Sequence, residues 1–319
     1  MRRSLLVERF VAWRAQRTAA GARQVRRRDA RREAPLSAAT GSGEAPARPR
    51  DGVAEAFAHV RYWVFDLDNT LYPADCHLFH QIDARMTAFI ERALKLGPVD
   101  ARRVQKDYYA RYGTTMSGLM REHGVDPHDF MAFVHDIDLS VVDENPALAA
   151  VIADLPGEKY VFTNGSERHA DNVTAKLGLS GLFAGVFDIA SAAFTPKPHR
   201  ATYERFLSRH AVAPGEAAMF EDIAVNLAEP HALGMTTVLV ASSAAWLDDE
   251  PSAKRPAKPD DRHGHVHHVT DDLTGFLERV APRAPARPAP PHANDARPTK
   301  TEEDRRSSAA TDGDRHDRP

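Results

Sequence analysis

The chain has 319 residues, 42% of them hydrophobic, with a formal net charge of −3 that averages a basic N-terminal arm with a more acidic middle. That apolar share is enough for a sizeable core, while the single cysteine, Cys76, excludes an intramolecular disulfide and a cysteine-built zinc site. No apolar run reaches the ~18 to 20 residues of a membrane span, and the N-terminus lacks the apolar stretch of a secretory signal, so the expectation is a soluble, cytoplasmic protein.

In chain order, residues 1–57 form an Arg- and Ala-rich arm, read as a disordered, solvated tail in preference to a nucleic-acid tether or a transit peptide. The first apolar run is YWVFD at 62–66, and further runs follow as KYVFTN at 159–164, GVFDIA at 185–190, AAMFED at 217–222 and TTVLV at 236–240. Between the first and second runs the pattern is helical. Leu78, Ile82, Met86, Phe89 and Ile90 recur at spacings of three and four, and Gly97-Pro98 ends that segment. A second helix is expected from Asp100 as N-cap, a third around Met116, Leu119 and Met120, and a fourth from Asp126-Pro127. After the fifth run, LDDEPSAKRPAKPDDRHGHVHH reads as a polar surface loop beside a short edge strand. Its histidines lack a carboxylate or cysteine partner at a fixed offset, which disfavours a metal site there. A helix over 271–280 and a disordered, Pro- and Arg-rich tail over 282–319 complete the chain.

Strand-like runs alternating with helical stretches predict an α/β fold: a Rossmann-like parallel sheet with helices on both faces, and a small α-helical cap inserted after the first strand. The catalytic core is assigned to residues 58–74 and 143–281, and the cap to 75–142.

Open parallel sheets bind ligands at the carboxyl ends of their strands, and polar groups gather there in this sequence. The first run ends in Asp66 and Asp68, the second in Thr163-Asn164-Gly165 and the fourth in Glu221-Asp222, with Lys197 in the loop after the third. Several carboxylates and one ammonium at one sheet edge need a counter-ion, and Mg²⁺ suits an oxygen-only set. With a phosphate ester bound, Asp66 is placed to attack phosphorus, and Asp68 to protonate the leaving oxygen and then activate water. Thr163 and the amides after it would hold phosphate oxygens, and Lys197 would offset charge.

The segments FDLDNTLY, VFTNGS, TPKP and EDIAVNL resemble the four motifs of the haloacid dehalogenase-like (HAD) hydrolases, over residues 62–280. The resemblance implies Asp66 as nucleophile and Asp68 as general acid and base with its backbone carbonyl on Mg²⁺. It implies Thr163, Asn164 and Gly165 as phosphate ligands with Lys197, and Asp222 with Glu221 at the metal, leaving open which of the two touches it. Asn226 matches the position that orients the last motif. Asp68 argues against a dehalogenase, because those relatives lack the second aspartate.

The cap sequences LYPADCHLFHQIDARM, YYARYGTTMSGLM and DFMAFVHDIDLS look like the pyrimidine 5′-nucleotidase branch, which implies UMP or CMP as substrate. Tyr112, Thr114, Thr115, His135 and Asp136 are the cap residues expected to face the nucleoside. The competing expectations are a phosphatase for phosphoglycolate or a sugar phosphate, and a binding or regulatory module that has kept the fold without turnover.

Overall fold

All five apolar runs form strands in a computed structural model that describes residues 52–244 and 255–281. They are β1 (Tyr62–Phe65), β2 (Glu158–Phe162), β3 (Gly185–Phe187), β4 (Ala217–Glu221) and β5 (Thr236–Val240). A sixth, β6 (His268–Thr270), pairs with β5 at the edge. Every pairing is parallel, in the order β3-β2-β1-β4-β5-β6.

Side chains alternate along a strand, so β1 sends Trp63 and Phe65 to one face and Val64 to the other. Trp63 and Phe65 join Val161, Phe220 and Phe276 in one apolar cluster, whereas Val64 joins Phe162, Met219, Tyr203 and Phe206 in a second. Burial on both faces is what a parallel sheet requires, and it explains why these strands read as continuous apolar runs. Both connections from β1 through β2 to β3 move one way across the sheet, and those from β4 through β5 to β6 move the other. The order therefore reverses between β1 and β4, and this opens a crevice at their carboxyl ends.

The insert after β1 holds four helices: α2 (Leu78–Leu94), α3 (Pro98–Tyr112), α4 (Thr115–His123) and α5 (Pro127–Val134), numbered after a short α1 (Val53–Ala56). Their inward faces form a core of their own around Ile82, Phe89, Ile90, Met116, Leu119 and Phe130. Thr114 caps α4 by accepting from the Ser117 N–H at 3.0 Å, and Asp126 caps α5 by accepting from His128 N–H at 2.8 Å. The second of these helices has Gly97 as its N-cap, three residues before the expected Asp100. Pro98 takes its first position, where a missing N–H costs nothing, and Gly97 flanks it.

Three expectations change. The arm assigned to 1–57 gives up its last residues to the core: α1 precedes a buried Phe57, which stacks on Trp63 at 6.0 Å and meets Phe276 edge-on at 5.7 Å. The rest of the arm, 1–51, lies outside the described residues, as does the tail over 282–319. The third run yields only three strand residues, because Asp188 leaves the sheet to accept from the N–H groups of Glu167 and Ser191. The Pro-rich segment after β5 is more than a surface loop. Residues 245–254 lie outside the described residues, but Ala257 is buried, donates its N–H to the Asp222 carbonyl at 2.7 Å and accepts from Ser242 N–H at 2.8 Å.

Two histidines of HGHVHH serve the fold. His265 Nε2 donates to the Ala224 carbonyl at 2.7 Å, and His267 Nδ1 accepts from Thr237 N–H at 3.0 Å. Among the described residues no helix is long and apolar enough to cross a membrane.

Candidate active site

At the carboxyl end of β1 the backbone pairs once more, Asp66 N–H to Phe220 C=O at 2.9 Å, before the chain turns. The turn uses Asn69 in the left-handed conformation, at φ 60, which Asn tolerates better than most residues. Asp66 thereby faces the crevice beside Glu221, the last residue of β4, and Asp222.

Lys197 reaches this point from the loop after β3 and is 2% exposed. Its ammonium donates to Asp66 Oδ1 at 2.6 Å, to Glu221 Oε2 at 2.8 Å and to the Phe162 carbonyl at 2.9 Å. Three donors thus meet three acceptors, and a buried charge of this kind needs that saturation. Burial works against the ammonium, but Asp66 and Glu221 hold its pKa above the usual lysine value. Asn164 supports the loop by accepting from the Lys197 N–H at 2.9 Å.

One cation is too few for three buried acids. Burial, followed by the Glu221 charge, pushes the Asp66 carboxyl up to about 7 despite its pair with Lys197. The same two causes raise Asp222 well above the usual carboxylate range. With all three acids ionised, the cluster with Lys197 carries a net charge of −2, which a divalent cation balances. One ligand oxygen from each of Asp66, Glu221 and Asp222 lies within 4.8 Å of the others. Nearby, Asn69 Oδ1 is buried with no hydrogen-bond partner among the described residues, while its amide nitrogen donates to Asp222 Oδ2 at 3.4 Å. An all-oxygen donor set, an uncompensated charge and an orphaned acceptor all fit a hard divalent ion and its water.

The two acids at the end of β4 differ in their freedom. Glu221 spends both oxygens inside the protein, one on Lys197 and the other on Asn226 Nδ2 at 2.5 Å. Among the described residues no donor reaches Asp222 Oδ1, so Asp222 is the better placed of the two to hold a metal ion.

Asp68 stands apart from the cluster. Its Oδ1 accepts from Tyr72 OH at 2.7 Å and from His169 Nε2 at 2.8 Å. Burial raises its pKa, but His169 and Tyr72 outweigh that and hold it below the usual value.

Thr163 follows β2 directly, with its N–H on the Phe187 carbonyl at 3.0 Å, and its hydroxyl accepts from Gly165 N–H at 2.8 Å. At the following helix, α7 (Glu167–Lys176 after α6, Pro146–Asp154), the Glu167 and His169 N–H groups are already capped by Asp188 and Ser166. The N–H groups of Gly165, Glu167 and His169 thus each have a partner within the protein. Thr163, Asn164 and Gly165 do line the crevice.

Above the acids the crevice closes to a cavity of about 140 Å³, walled by Phe79, Ile82, Met86, Phe130, Met131 and Val134 from the insert and by Pro256 from the far end of the chain. Thr114, Thr115 and His135 also line it. Their polar groups serve the fold: Thr114 caps α4, Thr115 donates to the Gln105 carbonyl at 3.2 Å, and His135 Nδ1 lies 2.9 Å from Ser166 Oγ. Tyr112 and Asp136 do not line this cavity, which corrects the expectation for both. Tyr112 turns outward to Glu122 and Arg111, and exposed Asp136 pairs with Arg85 at 2.8 Å. The insert also buries Asp83 beneath Arg102, Lys106 and Gln105, a network the sequence reading did not single out.

His135 stacks on His169 with centroids 4.2 Å apart and planes within 6°. Burial first, then His169, drives its pKa from 6.5 down to about 3, with Arg168 adding to the effect and Asp68 opposing it. As pH falls below 6.5 the unfolded chain binds a proton that the folded chain refuses. Stability is therefore whole above pH 6.5 and declines toward pH 3, by about 1.4 kcal/mol for each pH unit from this residue. Replacing His135 with Gln is expected to flatten that part of the pH dependence of the urea midpoint; identical slopes in the two proteins would contradict the assignment.

Comparison with known proteins adds the family. A haloacid dehalogenase-like hydrolase model matches residues 60–234, more than half of the chain. The chain belongs to the haloacid dehalogenase-like hydrolases. Phosphate metabolism protein 8 of Saccharomyces cerevisiae is 23% identical to this hydrolase over 233 residues, which is 69% of the chain and 65% of the yeast protein. Among solved structures, a HAD phosphatase from Thermococcus onnurineus is 15% identical, with a TM-score of 0.46, over 69% of this hydrolase and 97% of the other chain. The L-2-haloacid dehalogenase of Xanthobacter autotrophicus is 18% identical, with a TM-score of 0.44, over 70% and 100%.

Residues with no role in the sequence reading also belong to this site: Asn69, Tyr72, His169 and Pro256. Asn69 and Tyr72 stood inside the first motif. His169 and Pro256 carried no local signal.

Proposed function

We propose that this HAD hydrolase is a Mg²⁺-dependent phosphomonoesterase that works through an aspartyl-phosphate on Asp66, with pyrimidine nucleoside 5′-monophosphates as its substrates. The observation that carries the reading is the separation of two aspartates two residues apart: Asp66 sits with Lys197 in the acid cluster, while Asp68 is held outside it by Tyr72 and His169.

An Asp66 oxygen attacks phosphorus as the ester P–O bond breaks, and the leaving oxygen takes a proton from Asp68. Water then attacks the aspartyl-phosphate while Asp68 takes back a proton, which releases phosphate and restores the Asp66 carboxylate. Lys197, already beside Asp66, offsets the charge of the phosphoryl oxygens, and the Thr163 hydroxyl is within the same crevice to bind one of them. Asp66, Asp222 and the Asp68 carbonyl would hold Mg²⁺, whose charge lets the phosphate approach three acids.

The apolar cavity wall supports a leaving group with a flat apolar face, as a nucleobase has, over glycolate or a sugar. The name of the yeast relative, which refers to phosphate metabolism, agrees with a phosphate-releasing reaction. A panel of UMP, CMP, phosphoglycolate and sugar phosphates with Mg²⁺, read by released phosphate, tests the proposal. UMP and CMP are expected to be turned over with the highest kcat/KM; turnover of the sugar phosphates with none of UMP or CMP would overturn the nucleotide assignment.

A further inference from the structure

Asp68 makes two hydrogen bonds, and both fall on the same oxygen. Oδ1 accepts from Tyr72 OH and His169 Nε2, while among the described residues no donor reaches Oδ2. Both donor side chains are 1% exposed, whereas the Asp68 side chain is 16% exposed and borders the crevice. The donors are themselves fixed. The His169 ring is held by the parallel His135 ring and its backbone N–H by Ser166 Oγ at 3.3 Å, and Tyr72 is packed into the main core.

We propose that Tyr72 and His169 are positioning residues that clamp Oδ1 of Asp68 and so reserve Oδ2 for proton exchange with the leaving group and water. This rests on the phosphatase reading above. A carboxylate two residues from the nucleophile and next to a metal-binding cluster has two competing uses, as a metal ligand and as an acid. A side chain free to rotate would divide its time between them. Two donors on one oxygen remove that rotation, keep Asp68 out of the Asp66, Glu221 and Asp222 cluster, and present a single oxygen to the reaction. In the first step the Oδ2–H bond breaks and an O–H bond to the leaving oxygen forms as the ester P–O bond breaks; in the second, Oδ2 takes a proton from water.

Three changes separate positioning from mere folding: Tyr72→Phe, His169→Leu and His169→Gln, the last keeping a donor. Their kcat/KM is measured on an alkyl phosphate, whose leaving oxygen needs a proton, and on p-nitrophenyl phosphate, whose leaving group departs without one. Tyr72→Phe and His169→Leu are each expected to lose about tenfold on the alkyl ester and less than about twofold on the aryl ester, with His169→Gln recovering most of the loss. Equal losses on both esters, or none on either, would overturn the clamp. A crystal structure of the Tyr72→Phe, His169→Leu double variant decides independently of activity: a rotated Asp68 carboxylate supports the clamp, and an unmoved one refutes it. Wild-type protein inert toward both esters would count against the phosphatase reading, and the crystal structure would still decide the clamp.

Discussion

Asp66→Asn is expected to reduce phosphate release by at least about a thousandfold while leaving the protein as stable as before, or more so. The loss follows from chemistry, because an amide oxygen at this position does not form the acyl-phosphate. The retained stability follows from the electrostatics of the crevice. Burial and the Glu221 charge already disfavour an ionised Asp66, with its carboxyl pushed up to about 7. A neutral amide of the same shape removes that repulsion, and Lys197 keeps Glu221 and the Phe162 carbonyl. The comparison is between initial rates with Mg²⁺ and thermal midpoints without it. Residual turnover within tenfold of wild type would rule out Asp66 as the nucleophile, and a markedly lower midpoint would rule out a destabilised carboxylate.

Lys197→Met is expected to fail in the opposite sense, losing stability together with turnover. The methionine fills a similar volume but leaves Asp66 and Glu221 without the ammonium that both contact, 2.6 and 2.8 Å away. Removing one partner from a buried ionic group costs about 3 to 5 kcal/mol, and protonation of the remaining acids brings the loss toward the lower end. Urea unfolding in metal-free buffer measures it. Because the variant cluster carries one more uncompensated negative charge, added Mg²⁺ is expected to raise its midpoint by more than it raises that of the wild type. A loss below about 1 kcal/mol would mean that Lys197 is not the main counter-charge of this crevice.

The core motifs were legible because each ends an apolar run, so residue type and strand position coincide in a few neighbouring residues. Asp66, Thr163, Glu221 and Asp222 are fixed by strands whose burial dictates where they end. The insert was legible as helices for the same reason, through its three- and four-residue spacing. Which of its polar residues face the crevice was not, because that depends on how α3 and α5 roll against their neighbours. Tyr112 and Asp136 point outward, while Thr114, Thr115 and His135, in the same two stretches, do not. His169 and Pro256 were invisible for a further reason. Each gains its role from a contact across the fold, His169 with an aspartate 101 residues away and Pro256 through a segment anchored to Asp222 by Ala257.

The central position of β1 has a consequence for how the protein comes to exist. Its neighbours β2 and β4 follow much later in the chain, and the crevice contacts Asp66 to Lys197 and Asn69 to Asp222 span 131 and 153 residues. Pairings of such long range form slowly, since the loop must close before any contact rewards it. During synthesis, Trp63, Val64 and Phe65 therefore emerge as a bare apolar strand with no partner on either side. The insert that follows has local contacts and its own apolar cluster, and can collapse while β1 waits. Competence for chemistry arrives only when β4 docks and brings Glu221 and Asp222 into place. Regain of activity on refolding is thus tied to the longest-range closure of the sheet, and lags behind the helical signal.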